Sequence, residues 1–277
     1  IVLAVAILPI LGVGGMQLYR AETPGPVKDS KMTPRIADTA KHLWYIYLSL
    51  TVACSLSYWA AGMTVFDAIC HAFSTVAIGG FSTHDASIGY FDSHLINFIT
   101  VIFLLISGIN YALHFSAFSA KKFSLNIYRH DPEVRAFIFI QVVLTTTCFT
   151  MLMNHQVYDS IESAFSQALF QAVSISTTAG FTTTSFADWP LFLPVLLVIS
   201  SFIGGCAGST GGGLKVIRVL LLNLQGLREL KRLVHPKAVY KIKIGDKALT
   251  PENMKQFQQA QSGLSSALSR LLVTVER

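Results

Sequence analysis

Apolar residues in this 277-residue chain come in blocks separated by short polar runs. Four blocks, roughly 43–63, 95–118, 136–154 and 190–213, are long enough for a helix to cross a bilayer, which takes about 20 predominantly apolar residues. A fifth, IVLAVAILPILGVGG at 1–15, is too short to span and reads as the second half of a crossing helix. Residue 1 is Ile, not Met, and no basic stretch precedes the block, so a fragment is expected rather than a signal peptide. The block runs into RAETPGPVKDSKMTPRIADTAK, rich in Pro and charge, which predicts a linker over 16–42.

Within each pair of long blocks lies a shorter one. VFDAICHAFST (65–75) and IESAFSQALFQAVSIST (161–177) are moderately apolar and end in polar runs containing glycine. Helices of that length cannot span, so they read as half-helices that enter the membrane and turn back. The two stretches align at an offset of 100: Ala68, Ala72, Ser74, Gly80, Phe81 and Thr83 match Ala168, Ala172, Ser174, Gly180, Phe181 and Thr183. The pattern is a repeat of helix, half-helix, Gly-Phe turn, helix. Both copies enter from the same side, unlike the inverted repeats of many carriers. Parallel copies around an axis normal to the membrane make a pore.

Composition agrees with a polytopic membrane protein: 52% of residues are apolar, 13% are charged and the mean hydropathy is +0.53. Soluble domains average about 25% charged residues. Disorder and a secreted disulfide scaffold are excluded on the same grounds. The basic residues form three groups: Arg20 to Lys41, Lys121 to Arg135, and twelve from Lys215 onward. Residues 42–120 and 136–214 contain none. By the positive-inside rule the basic groups are cytoplasmic and each base-free span goes out and returns. The net charge of +6 therefore reports topology rather than nucleic-acid binding. Cys54, Cys70, Cys148 and Cys206 all fall in apolar stretches, without disulfide or metal spacing.

The chemistry-bearing segments are STVAIGGFSTHD (74–85), STTAGFTTTSF (176–186) and SSFIGGCAGSTGGGLK (200–215). A dehydrated alkali cation needs several oxygen ligands facing one axis, and backbone carbonyls supply them without net charge. Aligning successive carbonyls demands conformations that glycine accepts most readily, which suits Gly80 and Gly180. Thr177 and Thr178 add hydroxyl oxygens, and the half-helices aim their partly negative C-termini inward. The bland alternative is two ordinary membrane turns in close helix packing, and its weakness is the repetition at matched positions. Six acids, Asp67, Asp85, Asp92, Asp159, Glu162 and Asp188, lie in the base-free spans, where they would concentrate cations at an entrance or merely solvate the surface. The third segment is dense in glycine, which costs about 1 kcal/mol per helical residue relative to Ala, so the last crossing should break there. A phosphate-binding loop fails because no Gly-Lys-Ser/Thr follows at the required spacing. A membrane-embedded serine hydrolase fails because Ser209 has no histidine partner; His235 sits in the basic segment. A mobile plug in a pore and a tight glycine packing surface both stay open. Asn110 is expected to bond across a close helix contact, and His71 and His114 to cap or bridge helices. Farther on, VYKIKI alternates ahead of Gly245-Asp246, a hairpin signal that would suit docking to a cytosolic subunit or anionic lipid.

The motifs HAFSTVAIGGFSTHDASIGYF, SGINYALHF, QAVSISTTAGFTTTSF and GGCAGSTGGGLKVIR closely resemble the TrkH branch of the Trk/Ktr/HKT superfamily of potassium transporters, over about residues 1–256. The resemblance implies an all-α membrane fold of four helix–pore-helix–helix repeats around one pore, with one filter glycine per repeat. It places an end of a first-repeat helix at 1–15, a second repeat at 43–120, a cytoplasmic loop at 121–135, a third repeat at 136–227 and a basic cytoplasmic segment at 228–256. The implied potassium ligands are Ala77, Ile78, Gly79 and Gly80 with Thr177, Thr178, Ala179 and Gly180. The implied gate is Gly204, Gly205, Cys206, Ala207, Gly208, Ser209, Thr210, Gly211, Gly212 and Gly213. A homodimer in the bacterial inner membrane is implied, working with a cytosolic TrkA-type ring. Nucleotide is expected on that ring only, and no cofactor or enzymatic activity on this chain. The reading is potassium uptake; less selective Na⁺/K⁺ translocation, or a truncated or fused membrane scaffold, are the alternatives. Only two of four quadrants are expected here, because most of the first repeat would lie before residue 1 and 257–277 (FQQAQSGLSSALSRLLVTVER) departs from the family where the fourth should begin. Its leucines fall on one helical face, as in a soluble amphipathic helix similar to the LemA family.

Overall fold

The computed structural model describes residues 36–119, 124–190, 192–234, 243–244 and 247–248. The half crossing at 1–15, residues 16–35 of the expected linker and the amphipathic segment at 257–277 lie outside the described residues, while 36–42, expected as linker, are helical. The first unit comprises α1 (Ile36–Ala60), α2 (Val65–Val76) and α3 (His94–Ser107), followed by α4 (Tyr111–Ser119). After the short α5 (Asn126–His130), α6 (Pro132–Asn154), α7 (Ile161–Ser176) and α8 (Leu193–Ser201) repeat the same order of long helix, half-helix and helix. The last helix, α9, covers Val216–Val234, and β1 (Lys243–Ile244) pairs antiparallel with β2 (Lys247–Ala248). Apart from that ribbon, the described residues are helical or irregular.

Local chemistry sets the starts of α2, α6 and α7. Thr64 accepts the Asp67 N–H ahead of α2, Ser160 accepts the Ser163 N–H ahead of α7, and Asp131 accepts from Glu133 and Val134 ahead of α6. Each is a side-chain oxygen taking up an otherwise orphaned first-turn donor. Pro132 at the first position of α6 has no N–H to lose. α6 has the length and apolarity to cross a membrane. Its Phe139, Val142 and Val143 are exposed, as are Leu48, Val52, Leu56 and Trp59 of α1. Apolar bands of that extent fit a hydrocarbon solvent.

Two expected crossings differ from the simple reading. The block 95–118 is α3 and α4 with a 90° bend between them. Its apolar content is continuous, but Gly108, Ile109 and Asn110 leave the helix. The Asn110 side chain caps α4 by accepting the Ala112 N–H at 2.8 Å, rather than bonding across a helix contact as expected. His114 bridges the bend, contacting the Ile106 carbonyl at 3.0 Å and the Tyr128 hydroxyl at 2.8 Å. The block 190–213 is helical only over α8; from Phe202 to Lys215 the chain is irregular, as its glycine content predicts. The hairpin expected around Gly245-Asp246 is present as the β1–β2 pair, with Ile244 opposite Lys247.

One core cluster joins the first unit to the second: Cys54, Tyr58, Ala68, Ala72, Val76, Ile88 and Leu104 pack with Phe170, Val173, Ala179 and Phe181. A second fills the α6–α7–α8 unit around Leu144, Cys148, Leu152, Ala172, Leu193 and Leu197. The half-helices α2 and α7 are thus held within one body, with their C-terminal ends adjacent.

Candidate ion pathway

α2 ends at the αR cap Ala77, and positive φ then recurs at every second residue: Ile78 at 54° and Gly80 at 69°. α7 ends at the αR cap Thr177, and the same alternation follows at Thr178 (72°) and Gly180 (85°). Alternating left- and right-handed residues turns successive peptide planes the same way, so carbonyls gather on one side and N–H groups on the other. The hydrogen bonds agree. Ile78 N–H donates to the Thr75 carbonyl and Gly79 N–H to that of Ser74. Thr178, Ala179 and Gly180 N–H groups donate to Ile175 and Ser174. Among the described residues no donor is aimed at the carbonyls of 77–80 or 177–180. A β-branched residue such as Ile78 or Thr178 in the left-handed region is uncommon and persists only where the surroundings impose it.

The threonine hydroxyls are placed otherwise than expected. Thr177 donates its hydroxyl to the Val173 carbonyl at 2.7 Å, and the Thr178 oxygen accepts the Gly212 N–H at 2.7 Å. Both hydroxyls serve the scaffold, so the oxygens left facing outward from these turns belong to the backbone.

Two matching struts tie each turn back to its half-helix. Thr83 donates to Asp67 Oδ1 at 2.6 Å; one hundred residues later Thr183 donates to Gln167 Oε1 at 2.5 Å. His71 Nε2 pairs with Ser82 Oγ at 2.9 Å, and Gln171 Nε2 donates to the Thr184 carbonyl at 3.2 Å. Positions 67 and 71 of the first unit thus do the work of 167 and 171 in the second, with Asp and His in one and two glutamines in the other, while the partner of the second strut shifts from Ser82 to Thr184. Asp67 also accepts from Thr64 at 2.7 Å and lies 3.4 Å from His84 Nε2, while His84 stacks on Tyr90. Placing Asp67 among mere entrance acids missed this bracing; the offset of 100 that pairs Asp67 with Gln167 and Thr83 with Thr183 was the signal that could have found it.

The Gly-rich segment lies against both half-helix ends. Thr210 donates to the Val76 carbonyl at 2.8 Å, Gly212 to Thr178 as above, and a Cβ at Gly211 would stand 3.1 Å from the Thr177 carbonyl oxygen and 3.5 Å from Ile78 Cδ1. The segment is also stitched to the α3–α4 bend, by Cys206 N–H to the Gly108 carbonyl (2.8 Å) and Tyr111 N–H to that of Gly208 (3.1 Å). Close backbone approach explains the glycines, since a side chain at Gly204 would overlap the Gly212 carbonyl. The Lys215 ammonium reaches back to the Gly211 carbonyl. Glu133, not singled out from the sequence, accepts the Ala207 N–H at 2.6 Å and the Ile217 N–H at 3.2 Å. A charge in the first turn of a helix reads in sequence only as a complement to the helix dipole, which is why it escaped notice.

The two units meet turn to turn. A Cβ built at Gly80 would overlap the Ala179 carbonyl, whereas one at Gly180 meets nothing within 4 Å. The same asymmetry holds for the phenylalanines that follow: Phe181 is wholly buried and Phe81 is 81% exposed. Near them, Gly89 donates to the Thr182 carbonyl at 3.1 Å and Thr182 N–H to Ser87 Oγ at 3.2 Å. A cleft of about 500 Å³ lined by Ala86, Gly89 and Thr182–Ala187 opens beside this seam.

Comparison with known proteins came out in one direction. The family model described as TrkH, cation transport protein, matches residues 1–258. The Trk system potassium uptake protein TrkH of Vibrio parahaemolyticus is 74% identical over 249 residues, which cover 90% of this chain and 51% of that protein. TrkH of Escherichia coli K12 is 68% identical over 254 residues, 92% of this chain and 52% of that protein. TrkG from the same organism is 44% identical, with 92% of this chain and 52% of that protein covered. The crystal structure of the potassium transporter TrkH from Vibrio parahaemolyticus superposes with a TM-score of 0.82 at 63% identity, covering 99% of this chain and 54% of that one. The chain spans about half the length of the curated relatives it matches.

Proposed function

This chain belongs to the TrkH family of cation transport proteins and is a membrane protein, and we propose that it supplies two adjacent quadrants of a potassium uptake pore in the bacterial inner membrane. The observation that carries the reading is the pair of half-helices whose turns share one backbone alternation, present unbonded carbonyls and meet at Gly80 and Ala179. Potassium loses water on entering and takes carbonyl oxygens of Ala77, Ile78, Gly79 and Gly80 and of Thr177, Thr178, Ala179 and Gly180 in exchange. The C-terminal ends of α2 and α7 add a favourable negative potential at that point. The asymmetry of Gly180 and Phe81 supports two further quadrants flanking these, which agrees with a chain half the length of its relatives.

Residues 204–213 act in this reading as the gate beneath the filter, since Gly211 faces the Thr177 carbonyl and Thr210 and Gly212 bond to one half-helix each. α9 is the lever: it begins where the loop ends and carries a basic surface outward. The relatives' names describe a Trk system, which supports a cytosolic nucleotide-binding partner of the TrkA type docking on the basic segment after residue 228. A homodimer, with several crossings per subunit, completes the proposal.

The test replaces Gly80 or Gly180 by serine in the full-length transporter. Both residues hold positive φ, and the Gly80 side chain would also strike Ala179. Each variant is expected to lower K⁺ over Na⁺ discrimination in uptake assays by about tenfold, the factor that corresponds to 1.4 kcal/mol. Unchanged discrimination in both reduces these turns to packing elements.

A further inference from the structure

We propose that Glu133 is the latch that couples the lever helix α9 to the Gly-rich loop and holds the loop in its blocking position; the proposal rests on the gate reading above. Three elements converge on one carboxylate. It stands in the first turn of α6, its residue is 8% exposed, and Oε1 accepts the N–H of Ala207 from the loop and of Ile217 from the first turn of α9. A buried carboxylate is retained where donors satisfy it, and backbone N–H groups at a helix start are among the strongest. Ile217 N–H is one of the orphan donors of α9, so α6 caps α9 from outside.

The geometry makes the two bonds interdependent. Ala207 and Ile217 bracket the loop residues that lie against the filter turns, Thr210, Gly211 and Gly212, and the bracket is closed by Val216 N–H on the Gly205 carbonyl at 3.0 Å. A rotation or outward pull of α9 moves Ile217 away from Glu133, and the loop then loses the anchor that shares the same oxygen. α6 is the fixed post: it is packed along α7 and within the cluster of Phe137, Cys206 and Val216. The nearby charges are Asp131, which is occupied in capping α6, and Lys215, which reaches the Gly211 carbonyl. Glu133 thus acts through the loop, as a positioning residue rather than an ion ligand.

The experiment uses the full-length transporter in proteoliposomes and measures ⁸⁶Rb⁺ flux without any cytosolic partner, for the wild type, Glu133→Gln, a loop-shortened protein lacking residues 208–211, and the two changes combined. Glu133→Gln keeps the size and one oxygen but removes the charge that strengthens both N–H bonds, and a neutral oxygen shared between two donors is a weaker anchor. Its basal flux is expected to rise at least about fivefold, the lower end of typical coupling between linked sites, with the combined protein no faster than the loop-shortened one because both changes release the same obstruction. A folded Glu133→Gln protein with wild-type flux, beside a loop-shortened protein that conducts faster, overturns the latch and leaves the gate standing. A loop-shortened protein that conducts no faster overturns both. Should Glu133→Gln fail to fold, Glu133→Asp serves in its place: the shorter carboxylate keeps its charge but draws back from both donors. A rise in its basal flux supports the latch, and wild-type flux from a folded Glu133→Asp overturns it.

Discussion

The residues that shape the turns after α2 and α7 are mostly not those that would touch an ion in the proposed pore. Ile78 and Thr178 adopt left-handed backbone that their side chains disfavour, and the cost is offset by struts that fix the chain on either side. Asp67–Thr83 and Gln167–Thr183 are the strongest of these by distance. Truncating either acceptor, by Asp67→Ala or Gln167→Ala, should lower K⁺ over Na⁺ discrimination in the full-length transporter about fivefold, equivalent to one hydrogen bond of about 1 kcal/mol. Asp67→Asn keeps an oxygen for Thr83 and should stay within about twofold of the wild type. Comparing the three variants by uptake competition separates the strut from the charge; equal losses in Asp67→Asn and Asp67→Ala would assign the effect to charge alone. The turns themselves were legible as repeated Gly-Phe motifs. The use of the Thr177 and Thr178 hydroxyls was not, because a threonine at a half-helix end reads the same whether it bonds an ion, its own helix or a neighbouring loop.

At the scale of elements, each half-helix is pinned by a buried polar node that apolar patterning conceals. Tyr58 of α1 is fully buried, and its hydroxyl meets Thr75 of α2 and Thr100 of α3, both at 2.9 Å. In the second unit Ser176 of α7 donates to Gln141 of α6 at 2.8 Å. Tyr58→Phe leaves the ring in place but removes the shared hydroxyl, and should destabilise the fold by about 1–3 kcal/mol. Thermal unfolding in detergent should show this, with ion discrimination held near wild type in the same protein because the strut residues are untouched. A lost discrimination with unchanged unfolding temperature would contradict the assignment. Element lengths were readable from apolar runs and glycine positions, as α2, α6 and α7 attest. The right-angle bend between α3 and α4 was not, because its cause lies in another element: the Gly-rich loop takes the Gly108 carbonyl and supplies an acceptor for Tyr111. Sequence patterns register what a segment is made of, and tertiary partners decide where a continuous apolar run breaks.

For the molecule as a whole, the parallel placement of the two units ties topology to charge. The seam at Ser87–Gly89 and Thr182 should face outward, and α5 at the basic junction should face the cytoplasm. In a cysteine-free background of the full-length protein, Ala86→Cys should react with an impermeant maleimide applied to intact cells, and Asn126→Cys only after the cells are opened. Both positions are exposed, so access alone decides the result. The reverse labelling would invert the pore and its gate.

The contrast between Phe181 and Phe81 also bears on the order in which such a protein is built. The core cluster that holds Phe181 also contains Ala72, Val76 and Ile88, and the His71 ring lies 6.3 Å away centroid to centroid; all of these leave the ribosome before it. When the second half-helix enters the bilayer, the surface that receives its aromatic side chain already stands there. Phe81 points instead to a face left open by the described residues. For these two units synthesis order matches packing order: the later one brings the plug, the earlier one the hole, and neither waits for the other.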